Sequence, residues 1–228
     1  MNLPPLVRKM VAEFLGVTLF LTAIIGAASY FGTTDANVLH APALAITLGL
    51  MILLTGGVSG GHLNPAVSLY FLSKKVISGV EFLGYVVAQL AGAAFGVYLG
   101  NLMHGYTAAG FSIAPKNIST AVQISAFVGE VVATAGLVWI IIHLVNSKLG
   151  NLIPVAVAAW VLAASQFTPT GAQANPAVTF GLMFNGNLTV SYGLLLVLAE
   201  VLGVLVALLV TMALTSGNAK KKAAAKKK

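Results

Sequence analysis

The chain has 228 residues, 58% of them hydrophobic and 7% charged, with a mean hydropathy of +0.96. A soluble domain usually carries about a quarter charged residues, so this composition excludes an ordinary soluble fold and points to a polytopic membrane protein. Cysteine is absent, which excludes disulfides, thiolate metal sites and thiol nucleophiles.

Taken in chain order, six long apolar segments fall at roughly 9–31, 38–57, 80–102, 121–146, 151–168 and 190–214. Each is near the ~20 residues that a helix needs to span a bilayer. The first is long enough to stay as a span rather than be cleaved as a signal peptide. Two shorter apolar pieces, Pro65 to Leu72 and Pro176 to Phe184, lie after the second and fifth spans. They are too short to cross. The last nine positions hold six of the twelve basic residues. Residues 220–228 therefore read as a solvated basic tail rather than a nucleic-acid surface, although anionic lipid head groups are a second possible partner for it.

Basic residues orient the chain. Arg8 and Lys9, Lys74 and Lys75, Lys148 and the lysine tail share one side if both termini are cytoplasmic. Lys116 and Asp35 fall on the other, together with the sequons that begin at Asn117 and Asn187.

The chain repeats itself. Asn-Pro-Ala-Val occurs at Asn64 and again at Asn175, and 25 residues separate Asn64 from Gln89 and Asn175 from Glu200. AQLAG in the third span thereby matches AEVLG in the sixth, and AEFLG at Ala12 parallels GEVVA at Gly129. Each half, about 8–102 and 121–214, has three spans and one short piece. Three is odd, so the halves enter the membrane with opposite orientation, and inverted repeats of this kind place a site at the midplane. Residues 1–219 form one domain on this reading.

Proline fits the first turn of a helix and asparagine is a strong cap before it. Each Asn-Pro-Ala thus starts a half-helix, one from either side, and symmetry brings the two N-termini together. Each terminus carries roughly half a positive charge. The pair repels cations, while the amides of Asn64 and Asn175 donate hydrogen bonds to a neutral molecule with a lone pair. Glu13 and Glu130 are carboxylates inside spans, where an ionisable group is expensive. The symmetry suggests that they brace the re-entrant loops by accepting from backbone N–H groups, rather than carry protons. Glu200 has the neutral Gln89 as its counterpart by repeat spacing and is a candidate for a buried hydrogen bond. Glu81 is expected at the water-reaching edge of the third span. Gly16, Gly92 and Gly203 permit close helix approach.

These residues resemble the aquaporin, or major intrinsic protein, family. The resemblance covers residues 8–214 and rests on both Asn-Pro-Ala motifs (Asn64, Pro65, Ala66; Asn175, Pro176, Ala177), the AEFLG opening, the SGGHLNPAVS loop and the internal repeat. It implies the aquaporin-like fold, with six transmembrane helices and two re-entrant half-helices. It also implies a homotetramer with one pore per subunit and passive conduction of water or small neutral solutes. His62 would lie along the cytoplasmic half of the pore, with a buried structural histidine as the other reading.

One departure stands out. Family members usually carry arginine just after the second Asn-Pro-Ala, and here that position is Val178. Ungapped counting puts the other members of the outer selectivity filter at Leu44, Ala163 and Ala172. All four are small or apolar, which implies a wider filter that passes glycerol, urea, ammonia or peroxide. Gln166 or Gln173 would then supply polarity at the outer mouth. Thr179 stands where glycerol-conducting members usually have aspartate. The missing arginine and the lysine tail also resemble the small basic intrinsic branch, whose first motif, unlike this one, is usually altered. The expected function is a passive water channel with room for other small neutral solutes, and not an enzyme. No cofactor, metal or nucleic acid is expected. A glycerol, urea or ammonia facilitator, a secondary transporter and a closed-pore membrane scaffold are the alternatives.

Overall fold

The computed structural model describes residues 3–31, 37–106, 110–111 and 118–225. Its helices are α1 Pro5–Phe31, α2 Asn37–Ser59, α3 Pro65–Ser73, α4 Gly79–Met103, α5 Thr120–Asn146, α6 Ile153–Phe167, α7 Pro176–Phe184 and α8 Val190–Ala225. A 3-10 turn, Gly150–Leu152, leads into α6. Six helices are long and apolar enough to cross a membrane. The nine-residue α3 and α7 extend only about 14 Å. Asp35, Lys116, Asn117 and Lys226 to Lys228 lie outside the described residues.

The packing repeats as the sequence does. α1 packs on α4 and α2, and in the second half α5 packs on α8 and α6. α2 meets α6 across the two halves. Each half-helix also touches a long helix of the opposite half, α7 on α4 and α3 on α8. The halves are therefore interlocked rather than side by side.

Small residues permit this closeness. A Cβ on Gly92 would stand 2.5 Å from the Phe14 carbonyl oxygen, and one on Gly96 would stand 2.4 Å from that of Thr18. Those two positions set the α1–α4 distance. Gly203 does the same for α8 against α5, where a Cβ would meet Thr134 Cβ at 2.6 Å. Gly16 works differently from its expected helix–helix role. The space beside it is filled by the Leu63 side chain of the loop before α3.

Lys9 Nζ lies 2.7 Å from Glu81 Oε1, so the N-termini of α1 and α4 share one end of the bundle. Glu81 also closes a capping box with Ser78 at the start of α4.

Candidate functional site

The site grows from the two Asn-Pro dipeptides. Asn64 is extended (φ −160°, ψ 120°) and its Oδ1 accepts from Ala66 N at 2.8 Å. Asn175 has nearly the same backbone (φ −159°, ψ 106°), and its Oδ1 accepts from Ala177 N at 3.0 Å. Proline follows each one at the first helical position, where a missing N–H costs nothing. Both asparagines are buried.

The other end of each side chain crosses to the opposite repeat. Asn64 Nδ2 donates to the Ala174 carbonyl at 2.8 Å, and Asn175 Nδ2 donates to the Leu63 carbonyl at 2.9 Å. Leu63 and Ala174 hold φ values of 49° and 46°, a left-handed conformation uncommon for side chains of this kind. That twist turns each carbonyl toward the partner loop. The cap fixes Oδ1 and the cross-bond uses one amide hydrogen, so one hydrogen of each Nδ2 is left for the cavity.

Two carboxylates hold the loops in this shape. Glu13 accepts from His62 N at 3.0 Å, Leu63 N at 2.6 Å, Ser59 Oγ at 2.5 Å and Gln89 Nε2 at 2.7 Å. Glu130 accepts from Gln173 N at 3.0 Å, Ala174 N at 2.7 Å and the Thr170 hydroxyl. In each half the carboxylate binds the two backbone N–H groups just before the asparagine. Both residues are fully buried, so the loop N–H groups they accept from are paired inside the protein rather than with water.

Glu200 acquires a contact set that the sequence did not give. Its Oε1 accepts from Asn175 N at 3.0 Å and meets Thr179 Oγ1 at 2.7 Å. In the first half Gln89, its counterpart, reaches Ser68 Oγ at 3.1 Å. Ser68 and Thr179 each stand four residues after the motif asparagine.

The Ser68 hydroxyl donates to the Asn64 carbonyl at 3.1 Å. Its remaining capacity is to accept, so His62 Nδ1, 3.1 Å away, carries hydrogen and donates. His62 Nε2 is then a bare acceptor. The ring stacks on Phe71 with centroids 4.5 Å apart and meets Tyr85 edge-on.

One cavity of about 860 Å³ is lined by residues of both halves. At one end stand His62, Phe71, Gly60 and Gly61, and at the other Tyr106, Asn187, Gln166 and Thr170, with Asn64 and Asn175 between. Leu44, Ala172 and Val178 line it and are buried. Ala163 does not. The lumen face of α6 is Ile153, Val157, Val161 and Ser165, spaced by four. Ala163 is exposed and lies two positions beyond Val161, about 200° around the helix. Ungapped counting missed the face, and the apolar side chain presented there is Val161.

Sequence reading also overlooked His40, one turn outward from Leu44, and an amide row at the outer end. Asn101 Nδ2 donates to Asn185 Oδ1, and Asn185 Nδ2 to Asn187 Oδ1, each at 2.7 Å. All four residues line the cavity. No local signal marks them, because helix ends far apart in sequence bring them together. Glu13, Glu130 and Glu200 are not among the cavity-lining residues.

Comparison with known proteins agrees with this architecture. The family model described as "Major intrinsic protein" matches residues 1–168. The aquaglyceroporin AqpS of Rhizobium meliloti is 34% identical over 213 residues, which cover 89% of this chain and 88% of that protein. Aquaporin TIP1-1 of Arabidopsis thaliana is 32% identical over 195 residues, covering 78% of this chain and 75% of that protein. The solved aquaglyceroporin from Plasmodium falciparum superposes with a TM-score of 0.71 at 22% identity, covering 89% and 93% of the two chains. At that identity the likeness speaks for the fold.

Proposed function

We propose that this chain, which belongs to the major intrinsic protein family, is a passive transmembrane channel for water that also admits small neutral solutes. The observation that carries the reading is the crossed pair of asparagine amides inside one cavity lined by both halves. The N-termini of α3 and α7 meet there, and both dipoles present positive ends. A water oxygen accepts from the two amide hydrogens at the crossing and exchanges partners without a net charge moving. A hydronium ion faces two positive helix ends and, among the described residues, meets no carboxylate on the wall.

Asn64, Pro65, Ala66, Asn175, Pro176 and Ala177 form this midplane station, and Glu13 and Glu130 brace it. His62 adds an acceptor along the half nearest the lysines. By the positive-inside rule that half is cytoplasmic, as are both termini. Leu44, Val161, Ala172 and Val178 form the outer neck. It is apolar and uncharged, and its lack of an arginine side chain leaves room for solutes larger than water. The protein sits in the bilayer as a homotetramer with one pore per subunit, residues 1–219 being the channel domain and 220–228 a basic tail.

A secondary transporter needs ion-coupling groups in its cavity. The three buried carboxylates are turned into loop backbone or hydroxyls instead, which favours the channel.

The test is stopped-flow light scattering of proteoliposomes under an impermeant-sugar shock and under a glycerol shock, beside empty vesicles and Asn175→Asp. The expected result is fast shrinkage in sugar, re-swelling in glycerol, and loss of most of both in the variant. Asn175→Asp would face the Leu63 carbonyl, now 2.9 Å from Nδ2, with an anion. Shrinkage no faster than in empty vesicles would overturn the channel reading.

A further inference from the structure

Each re-entrant loop has a polar side chain two residues before its asparagine: His62 in the first repeat and Gln173 in the second. The structure treats them alike. His62 Nδ1 is tied to Ser68 Oγ, which is tied to Gln89. Gln173 Oε1 is tied to Thr179 Oγ1 at 2.6 Å, which is tied to Glu200 at 2.7 Å. Both His62 and Gln173 line the cavity. We propose that Gln173 is the specificity-determining hydrogen-bonding residue of the outer neck, positioned by Thr179 and, through it, by Glu200. The inference rests on the channel reading above.

The geometry carries it in three steps. Thr179 and Glu200 are fully buried, whereas Gln173 is half-buried and borders the cavity. The row Glu200–Thr179–Gln173 is thus anchored at its inner end and open at its outer one. Next, Thr179 has one hydroxyl hydrogen and two close oxygen neighbours, so Glu200 or Gln173 supplies the second hydrogen of the row. In either case one end of the Gln173 amide is fixed on Thr179, in a residue that borders the cavity. Finally, the neighbouring wall is Leu44, Val161, Ala172 and Val178, which offers no side-chain hydrogen bond.

Water crosses an apolar neck while keeping bonds to the waters ahead and behind. A larger neutral solute such as a small amide must give up more of its hydration at once, and a polar group without a replacement partner is costly. One fixed amide in an apolar ring therefore favours compact neutral solutes that pair with an amide. Glu200 and Thr179 act through Gln173 and touch no solute.

The probes are urea and water, measured by stopped flow on the full chain in liposomes. Gln173→Leu is expected to lower urea permeability at least about fivefold while water changes by no more than about twofold, the effect of one lost hydrogen bond. Thr179→Val should shift the urea-to-water ratio in the same direction. The double variant should go no further than Gln173→Leu alone, since the residues act as a unit. An unchanged ratio in Gln173→Leu, or a parallel fall of both fluxes, overturns the proposal and leaves Gln173 a structural residue. If Gln173→Leu does not fold, Gln173→Met, unbranched and of equal length, is read by the same criteria. Wild-type protein that passes water but no urea also overturns it. Wild-type protein no faster than empty vesicles overturns the channel reading instead, so the two failures are distinct.

Discussion

Replacing Glu13 by glutamine removes one oxygen and changes almost nothing in size. Its two oxygens now serve four donors. In Glu13→Gln one oxygen survives and still serves two of them. The new NH2 group then points at Leu63 N–H, formerly 2.6 Å from a carboxylate oxygen. Gln89 has an escape, because its Oε1 is buried without a partner among the described residues and a turned amide would accept from the new NH2. Leu63 N–H has none. An orphaned buried N–H costs about 1–3 kcal/mol, and the surviving bonds lose charge assistance worth roughly 1 kcal/mol more. At about 2–4 °C per kcal/mol for a chain of this length, Tm should fall by roughly 5–15 °C. The left-handed Leu63, whose carbonyl anchors Asn175, loses its hold, so water permeability per folded protein should drop as well. Thermal unfolding in detergent and stopped-flow shrinkage of proteoliposomes read the two effects. Wild-type Tm together with wild-type permeability would refute the bracing argument.

Other outcomes follow from the same geometry. Gly92→Val should abolish stable expression, because its first added carbon lies 2.5 Å from a backbone oxygen, whereas Gly56→Ala, with nothing within 4 Å, should purify as wild type by size-exclusion chromatography. Val178→Arg should cut urea and glycerol fluxes in proteoliposomes at least about tenfold while sparing water, because it returns both bulk and charge to the apolar neck. Lys9→Ala should cost less than about 1 kcal/mol in thermal unfolding, as a half-exposed ion pair does. Glu81→Ala should cost more, since Glu81 also caps the Ser78 backbone N–H.

Much of the architecture is legible in the sequence because membrane physics leaves few choices. Span length, the paired Asn-Pro caps and the repeat spacing each have one structural solution, so α3 and α7 fall where their prolines put them. Glu13 and Glu130 are legible for the same reason: a buried carboxylate must find donors, and the loops hold the nearest free ones. Ala163 shows the limit. Its assignment assumed a standard length for the link between α6 and α7, and that link is set by packing, not by a motif. Glu200 shows another. Its partners, Asn175 N and Thr179, lie on a different element, and nothing in its own neighbourhood in the chain names them. The amide row from Asn101 to Asn187 is invisible for the same reason.

The crossed asparagines also bear on how the protein is made. Each repeat lends the carbonyl just before its asparagine to the other, so neither re-entrant loop has its full complement of partners while alone. The first loop lacks these partners until the ribosome has delivered Asn175, 111 residues after Asn64. Pore formation is therefore a late step of biogenesis and not a by-product of inserting the first three spans. A chain halted before Ala174 lacks both the Ala174 carbonyl and the Asn175 amide, so neither cross-repeat bond of the midplane can form.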